Sequence, residues 1–251
     1  MESRATSVVA APTGLKRWLA MPEIPRALPF VLFVGLGALQ GKLFDGSEYW
    51  VYAFKTIVVG ALLWWLRGYL PEMKWAFSWS AVVVGIAIAA LWIGLEGVLP
   101  TLAELWGAGT RVVTGQIPEP SAANEPWHPV AYFSSNPALG WAFLAIRVVG
   151  RSLVVPALEE VFYRSFFYRS IAAARFNEVP LGIWHATAFV ITSLVFGLAH
   201  PDQWLAAVVC GAAYQLLVVK KKRLGDAMLA HATTNLIISG YAIWTGQWQF
   251  T

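Results

Sequence analysis

Apolar runs of about the length that spans a bilayer recur along this chain and leave little sequence over for anything else. They fall at residues 27–44, 49–66, 80–99, 138–158, 181–199, 204–219 and 224–244. A helix needs roughly 20 apolar residues, at about 1.5 Å each, to cross the hydrocarbon of a membrane. A chain of 251 residues that is 58% hydrophobic and only 13% charged is too apolar for a soluble domain. The expected fold is therefore all-α, a polytopic membrane bundle of about seven transmembrane helices. Residues 1–26 are expected to be a cytoplasmic or interfacial leader without a signal-peptide cleavage site, and residues 27–251 one domain. Residues 100–137 differ from the rest. Prolines 118, 120, 126, 129 and 137, with Glu104, Glu119 and Glu125, predict a long polar loop carrying a short surface helix.

Orientation follows from where lysine and arginine gather. Arg4, Lys16, Arg17 and Arg26 precede the first run, and Arg67 with Lys74 lie between the second and third. Arg164, Arg169 and Arg175 follow the fourth, and Lys220, Lys221, Lys222 and Arg223 separate the sixth and seventh. The other connections hold Lys42 and Arg111. This alternation predicts a cytoplasmic N-terminus and an outer C-terminus. The net charge of +4 is too small, and too regularly spaced, for a nucleic-acid partner. The single cysteine, Cys210, cannot form an internal disulfide.

Ionisable groups inside apolar runs each need a reason, because insertion costs roughly 2.5–3.5 kcal/mol apiece. Lys55 is expected to snorkel towards the interface, and Glu96 to sit at a span end. Arg147 and Arg151 share one helix face, suited to pairing with carboxylates or reaching lipid phosphates. His128 and His185 are expected at the surface. Three clusters stand apart: Glu159-Glu160-x-x-x-Arg164, Phe196-x-x-x-His200 and His231-x-x-x-Asn235. Residues four apart share a helix face, so Glu160 pairs with Arg164 while Glu159 points about 100° away. Helix lengths measured from the intervening turns bring Glu159 and His200 to nearly the same depth, with His231 and Asn235 within reach. Polar glue between helices is the alternative reading.

A carboxylate beside an imidazole can deprotonate water, and a second imidazole with an amide can hold an oxyanion. That chemistry hydrolyses a peptide bond without a covalent nucleophile or a cofactor. Glu159, His200 and His231 could instead hold a zinc ion that activates the water, although no HExxH is present. A third reading is a non-enzymatic scaffold or a transporter; the chain shows no internal repeat of the kind transporters often carry.

The ordered triple of EExxxR, FxxxH and HxxxN resembles the CAAX-protease and bacteriocin-processing family of intramembrane proteases, over residues 138–244. The flanking text WVYAFKTIVVGALLWWLRGYLPE and the closing TGQWQF are similar to the CAAX prenyl protease-related branch found alongside exosortases. The resemblance implies that Glu159 and His200 activate water and that His231 and Asn235 form the oxyanion hole. Glu160 and Arg164 would be a structural pair, with Phe196 in support. It also implies a bacterial inner-membrane protease and a membrane-anchored substrate, such as a lipidated peptide or a C-terminal sorting segment.

Overall fold

The computed structural model describes residues 14–114 and 126–250. The leader up to residue 13, and the part of the polar loop holding Pro118, Pro120, Glu119 and Glu125, lie outside the described residues. After a helical turn at Leu15–Leu19 come eight principal helices. They are α1 (Glu23–Gly37), α2 (Ser47–Leu66), α3 (Trp79–Leu95), α4 (Leu102–Thr114), α5 (Pro137–Ala172), α6 (Ala186–Leu198), α7 (Trp204–Lys221) and α8 (Gly225–Thr245). Helix α4 is the amphipathic surface helix expected in the polar loop, and Arg111 lies in its last turn.

Polarity is inverted relative to a water-soluble protein. Val31, Val34, Ile57, Trp64, Val83 and Trp244 stand exposed, while Glu160, Arg164, Gln215 and Thr234 are buried. Such a surface is dissolved by lipid, and every charge kept inside must be satisfied by a neighbouring helix. By length and composition, Ser47–Tyr69, Pro137–Ala172 and Pro201–Lys221 can cross a membrane, and Trp79–Leu95 and Ala186–Leu198 are shorter apolar helices. The fold is a helical membrane bundle.

Close backbone approach holds it together. Helix α6 packs on α7 and α3 on α8. A Cβ on Gly197 would lie 2.8 Å from the Trp204 carbonyl, and one on Gly85 2.6 Å from that of Ala230. Small residues at crossings let membrane helices touch, since lipid itself supplies no hydrophobic drive for their association. Leu158, Val161, Tyr163, Phe196, Tyr214 and Met228 fill the centre.

One sequence expectation changes. The apolar run 138–158 does not end at a connector: α5 continues to Ala172, so Arg164 and Arg169 are helical and buried rather than part of a basic turn. Arg175 alone of that group is exposed, with 80% of its side chain accessible. Pro156 sits inside this helix. Two π-helical segments, Gly150–Val154 and Val161–Phe167, flank it and keep the chain helical. In α-helical register the missing N–H of residue 156 would have bonded carbonyl 152, and in π register carbonyl 151.

The connectors sort by end. At one end Lys222 Nζ donates to the Gly182 carbonyl at 2.6 Å, Arg223 and Ser78 bind Asp226, and Arg26 pairs with Glu72. At the other, Gln203 donates to Glu96, Trp204 Nε1 to the Pro100 carbonyl at 3.1 Å, and His128 stacks on Trp248 at 3.9 Å. The first end holds Arg67, Lys74, Arg175 and residues 220–223, so the alternation in the sequence is a real segregation of charge.

Glu72 clamps the basic end. Arg26 grips it with Nε at 2.7 Å and Nη2 at 3.0 Å, Ser165 donates to it, and Arg169 lies 4.0 Å away. Burial alone would push this carboxyl up, but the Ser165 and Arg26 hydrogen bonds and the Arg26 charge outweigh it and hold it below its ordinary value of about 4.5. A carboxyl held low by folding contributes stability above its unfolded pKa and loses it as pH falls through the folded one. The thermal midpoint in detergent is therefore expected to drop as pH is lowered from about 4.5. Glu72→Ala should cost about 3 kcal/mol at neutral pH and flatten that acid limb. A variant as stable as wild type at both pH values would refute the clamp.

Candidate active site

The long helix α5 supplies the glutamates, and its local irregularity aims them. Glu160 is fully buried and sits between two partners. Arg164, one turn on, approaches Glu160 Oε2 with Nε at 3.1 Å, an ion pair off hydrogen-bond geometry. From α8, His231 Nδ1 lies 3.0 Å from Glu160 Oε1. A carboxylate accepts only, so His231 donates from Nδ1 and presents Nε2 away from Glu160. The Arg164 guanidinium is 1% exposed, donates to the Gly211 carbonyl at 3.1 Å and lies over the Phe196 ring at 4.6 Å. The expected Glu160–Arg164 pairing is present, extended by a histidine from another helix.

Phe196 serves the site twice. Its ring stacks under Arg164, and its carbonyl meets His200 Nδ1 at 2.8 Å. That spacing of four is one helical turn, which gives the FxxxH pattern a physical meaning. Pro201 ends the helical run, because the residue before a proline is pushed out of the α region; His200 has φ −125° and ψ 67°. Its ring stands edge-on to Trp92, 5.7 Å between centroids. Since a carbonyl only accepts, Nδ1 carries the proton, and Nε2 of the neutral ring keeps a lone pair.

Asn235 donates from Nδ2 to the Arg151 carbonyl at 2.8 Å. This is the carbonyl that Pro156 leaves unpaired in the π register of α5. The proline thus creates an acceptor, and the asparagine on α8 takes it, with the second N–H of the same amide left over. Thr234, beside it, accepts from Tyr214 at 2.7 Å, and the Tyr214 ring stacks on His231 at 5.2 Å.

His200, His231 and Asn235 line a single cavity of about 490 Å³. Glu159 is not among its lining residues. It stands one turn beyond Val155, which does line the cavity, within electrostatic range of His231, and its Oε2 is buried without a hydrogen-bond partner. Among the described residues no three His, Cys, Asp or Glu side chains form a group that would hold a metal.

Residues 139–237 match the family model described as type II CAAX prenyl endopeptidase, Rce1-like. That stretch is Rce1-like, and the match indicates a protease. A CAAX protease would act on a membrane-anchored substrate within the bilayer. The match is to the family and not to a branch of it, and it contains Glu159, Glu160, Arg164, Phe196, His200, His231 and Asn235. No curated protein and no solved structure matches the chain.

The rest of the cavity wall includes charges that sequence reasoning set aside. Lys55 does not snorkel: it is 7% exposed and lines the cavity with Arg147 and Arg151. The signal was available, since a charge inside an apolar run is expected to be functional. The local pattern carried no hint that residues a hundred positions apart would share one space.

Arg164→Leu should destabilise the protein by about 3–5 kcal/mol, because it leaves Glu160 buried with only His231. The double variant Arg164→Leu, Glu160→Leu should recover much of that loss in thermal unfolding. No recovery would mean that the two side chains are not energetically coupled.

Proposed function

We propose that this protease activates water directly and without a metal, with Glu159 and His200 as the base and His231 and Asn235 as the oxyanion donors. The observation that carries the reading is the cavity that gathers His200, His231 and Asn235 around one space inside a CAAX endopeptidase domain. The unpaired Oε2 of Glu159 and the bare Nε2 of His200 are the two acceptors a water would need. As water loses its proton to this pair, its oxygen attacks the scissile carbonyl carbon. The carbonyl oxygen takes up the negative charge and is held by the free N–H of Asn235 and by an N–H at His231 Nε2, the ring being oriented by Glu160 behind it. Collapse breaks the C–N bond, and the captured proton passes to the leaving amine.

Glu159→Ala and His200→Ala should each lower cleavage of a lipid-anchored test peptide by about a thousandfold or more, with the thermal midpoint little changed. Wild-type turnover should survive a strong chelator. Loss of activity on chelation, restored by zinc, would support the same residues as metal ligands instead.

In this reading the basic end of the bundle faces the cytoplasm and the cavity opens towards the opposite face, the side of residues 96–101, 199–203 and 246–250. The charge bias supports it. The substrate is a membrane-anchored peptide, lipidated or bearing a C-terminal sorting segment, that enters with its anchor still in lipid. Single cysteines at Pro201, Gln203 and Lys221, each with Cys210→Ser, test the orientation. A membrane-impermeant thiol reagent outside should label the first two and spare the third; the reverse pattern would invert the topology.

A further inference from the structure

Three cations share the cavity with His200, His231 and Asn235, and no aspartate or glutamate lines it among the described residues. Lys55 comes from α2, Arg147 and Arg151 from α5. The Lys55 ammonium rests over the rings of Phe33 at 4.3 Å and Tyr52 at 5.4 Å. It makes no hydrogen bond or ion pair to any described residue, so its three N–H groups are unfilled. Space is kept for it: a Cβ on Gly37 would lie 3.1 Å from Nζ. Arg147 stacks on Tyr52 at 4.5 Å and on Trp127 at 4.4 Å, and its Nε is buried without a partner. Arg151 donates to the Phe250 carbonyl. Three cations around one cavity, with none of its described lining residues acidic, repel one another, and an anion between them relieves that repulsion.

We propose that Lys55, Arg147 and Arg151 form an anion subsite that holds a carboxylate of the peptide being cleaved. The proposal deepens the protease reading and rests on it, since the cations matter to catalysis only if the cavity takes a peptide. Guanidinium forks and an ammonium with free donors suit a carboxylate. The approach from the outer face favours an anion carried on a chain over a free one. A wider opening of about 1410 Å³ there is lined by Glu48, Glu96, Glu104 and Asp202 and meets the cavity at Gln40 and Arg147. Those carboxylates repel a diffusing anion or a lipid headgroup. An anchored peptide is brought past them by its other contacts.

The test uses the full chain in detergent and three probes, each an S-farnesyl-cysteine peptide with three residues after the cysteine. One ends in a free carboxylate, one in a carboxamide, and one in a carboxamide with an aspartate among those three residues. Binding is read by fluorescence anisotropy on the Glu159→Ala protein, and cleavage on wild type. The carboxylate probe should bind about tenfold more tightly than the plain carboxamide, and Lys55→Met and Arg147→Met should each bring that ratio near one. Arg147→Lys should keep part of the preference, which serves if Arg147→Met does not fold. Tight binding of the aspartate probe would assign the subsite to a side chain, and weak binding to the chain terminus; either supports it. Equal binding of all three probes to the parent protein would overturn the proposal, as would a preference that survives both methionine variants. Displacement of the carboxylate probe by phosphatidylglycerol but not by phosphatidylcholine would overturn it too, by giving the cations to lipid phosphate. If no probe is cleaved while the binding preference holds, the protease reading fails and the subsite stands.

Discussion

A single buried carboxylate ties the bundle to its chemistry. Glu160 is inaccessible to solvent, and its two oxygens face a guanidinium on its own helix and an imidazole on another. Neither partner has another carboxylate within ion-pairing distance among the described residues. Charges of this kind in a low-dielectric interior tolerate little displacement, because each is expensive without the others. Arg164 reaches α7 through the Gly211 carbonyl and α6 through the Phe196 ring. One anion therefore orients elements drawn from α5, α6, α7 and α8, the four helices that the family match covers.

Much of this was legible in the sequence, for particular reasons. The apolar runs announced the helices, because hydrophobic length is a local property. The i, i+4 spacing of Glu160 with Arg164 and of Phe196 with His200 announced contacts within one turn, and both contacts exist. Contacts between helices were not legible. That His231 would take Glu160 rather than stand free, and that Asn235 would find the carbonyl orphaned by Pro156, depends on how α8 is rotated against α5. Lys55 shows the same limit. Its position in a span suggested an escape to the interface, but Gly37 and two aromatic rings provide it a seat inside. The apolar run 138–158 also hid the true end of α5, because Arg164 and Arg169 look like a basic turn until Glu160 and the Gly211 carbonyl are seen to meet the first, and Glu72, Ser165 and the Val179 carbonyl the second.

Charge is layered along the bundle. The basic connectors occupy one end, the buried ion pairs and the three cavity cations lie between, and the acidic rim closes the other. A peptide with a negative group inside and a positive or neutral stretch beyond it would meet complementary charge at each level. Arg147 Nε, on the cavity wall, is buried without a hydrogen-bond partner, as is Glu159 Oε2 one turn beyond Val155.

The two π segments of α5 have a further consequence, which concerns length. Each wide turn holds an extra residue relative to α-helical winding, one before Glu159 and Glu160 and one after. Residues in a helix are about 100° apart in rotation, so rewinding either segment to α form with every residue kept would swing whatever lies beyond it by about that angle. To the bilayer the rewound helix would be the same greasy rod, still long enough to span. To the glutamate pair it would be a key cut one notch off, turned away from His231. The membrane thus tolerates a rewinding that the active site does not, and α5 acts as a vernier whose setting is recorded only in its irregular turns.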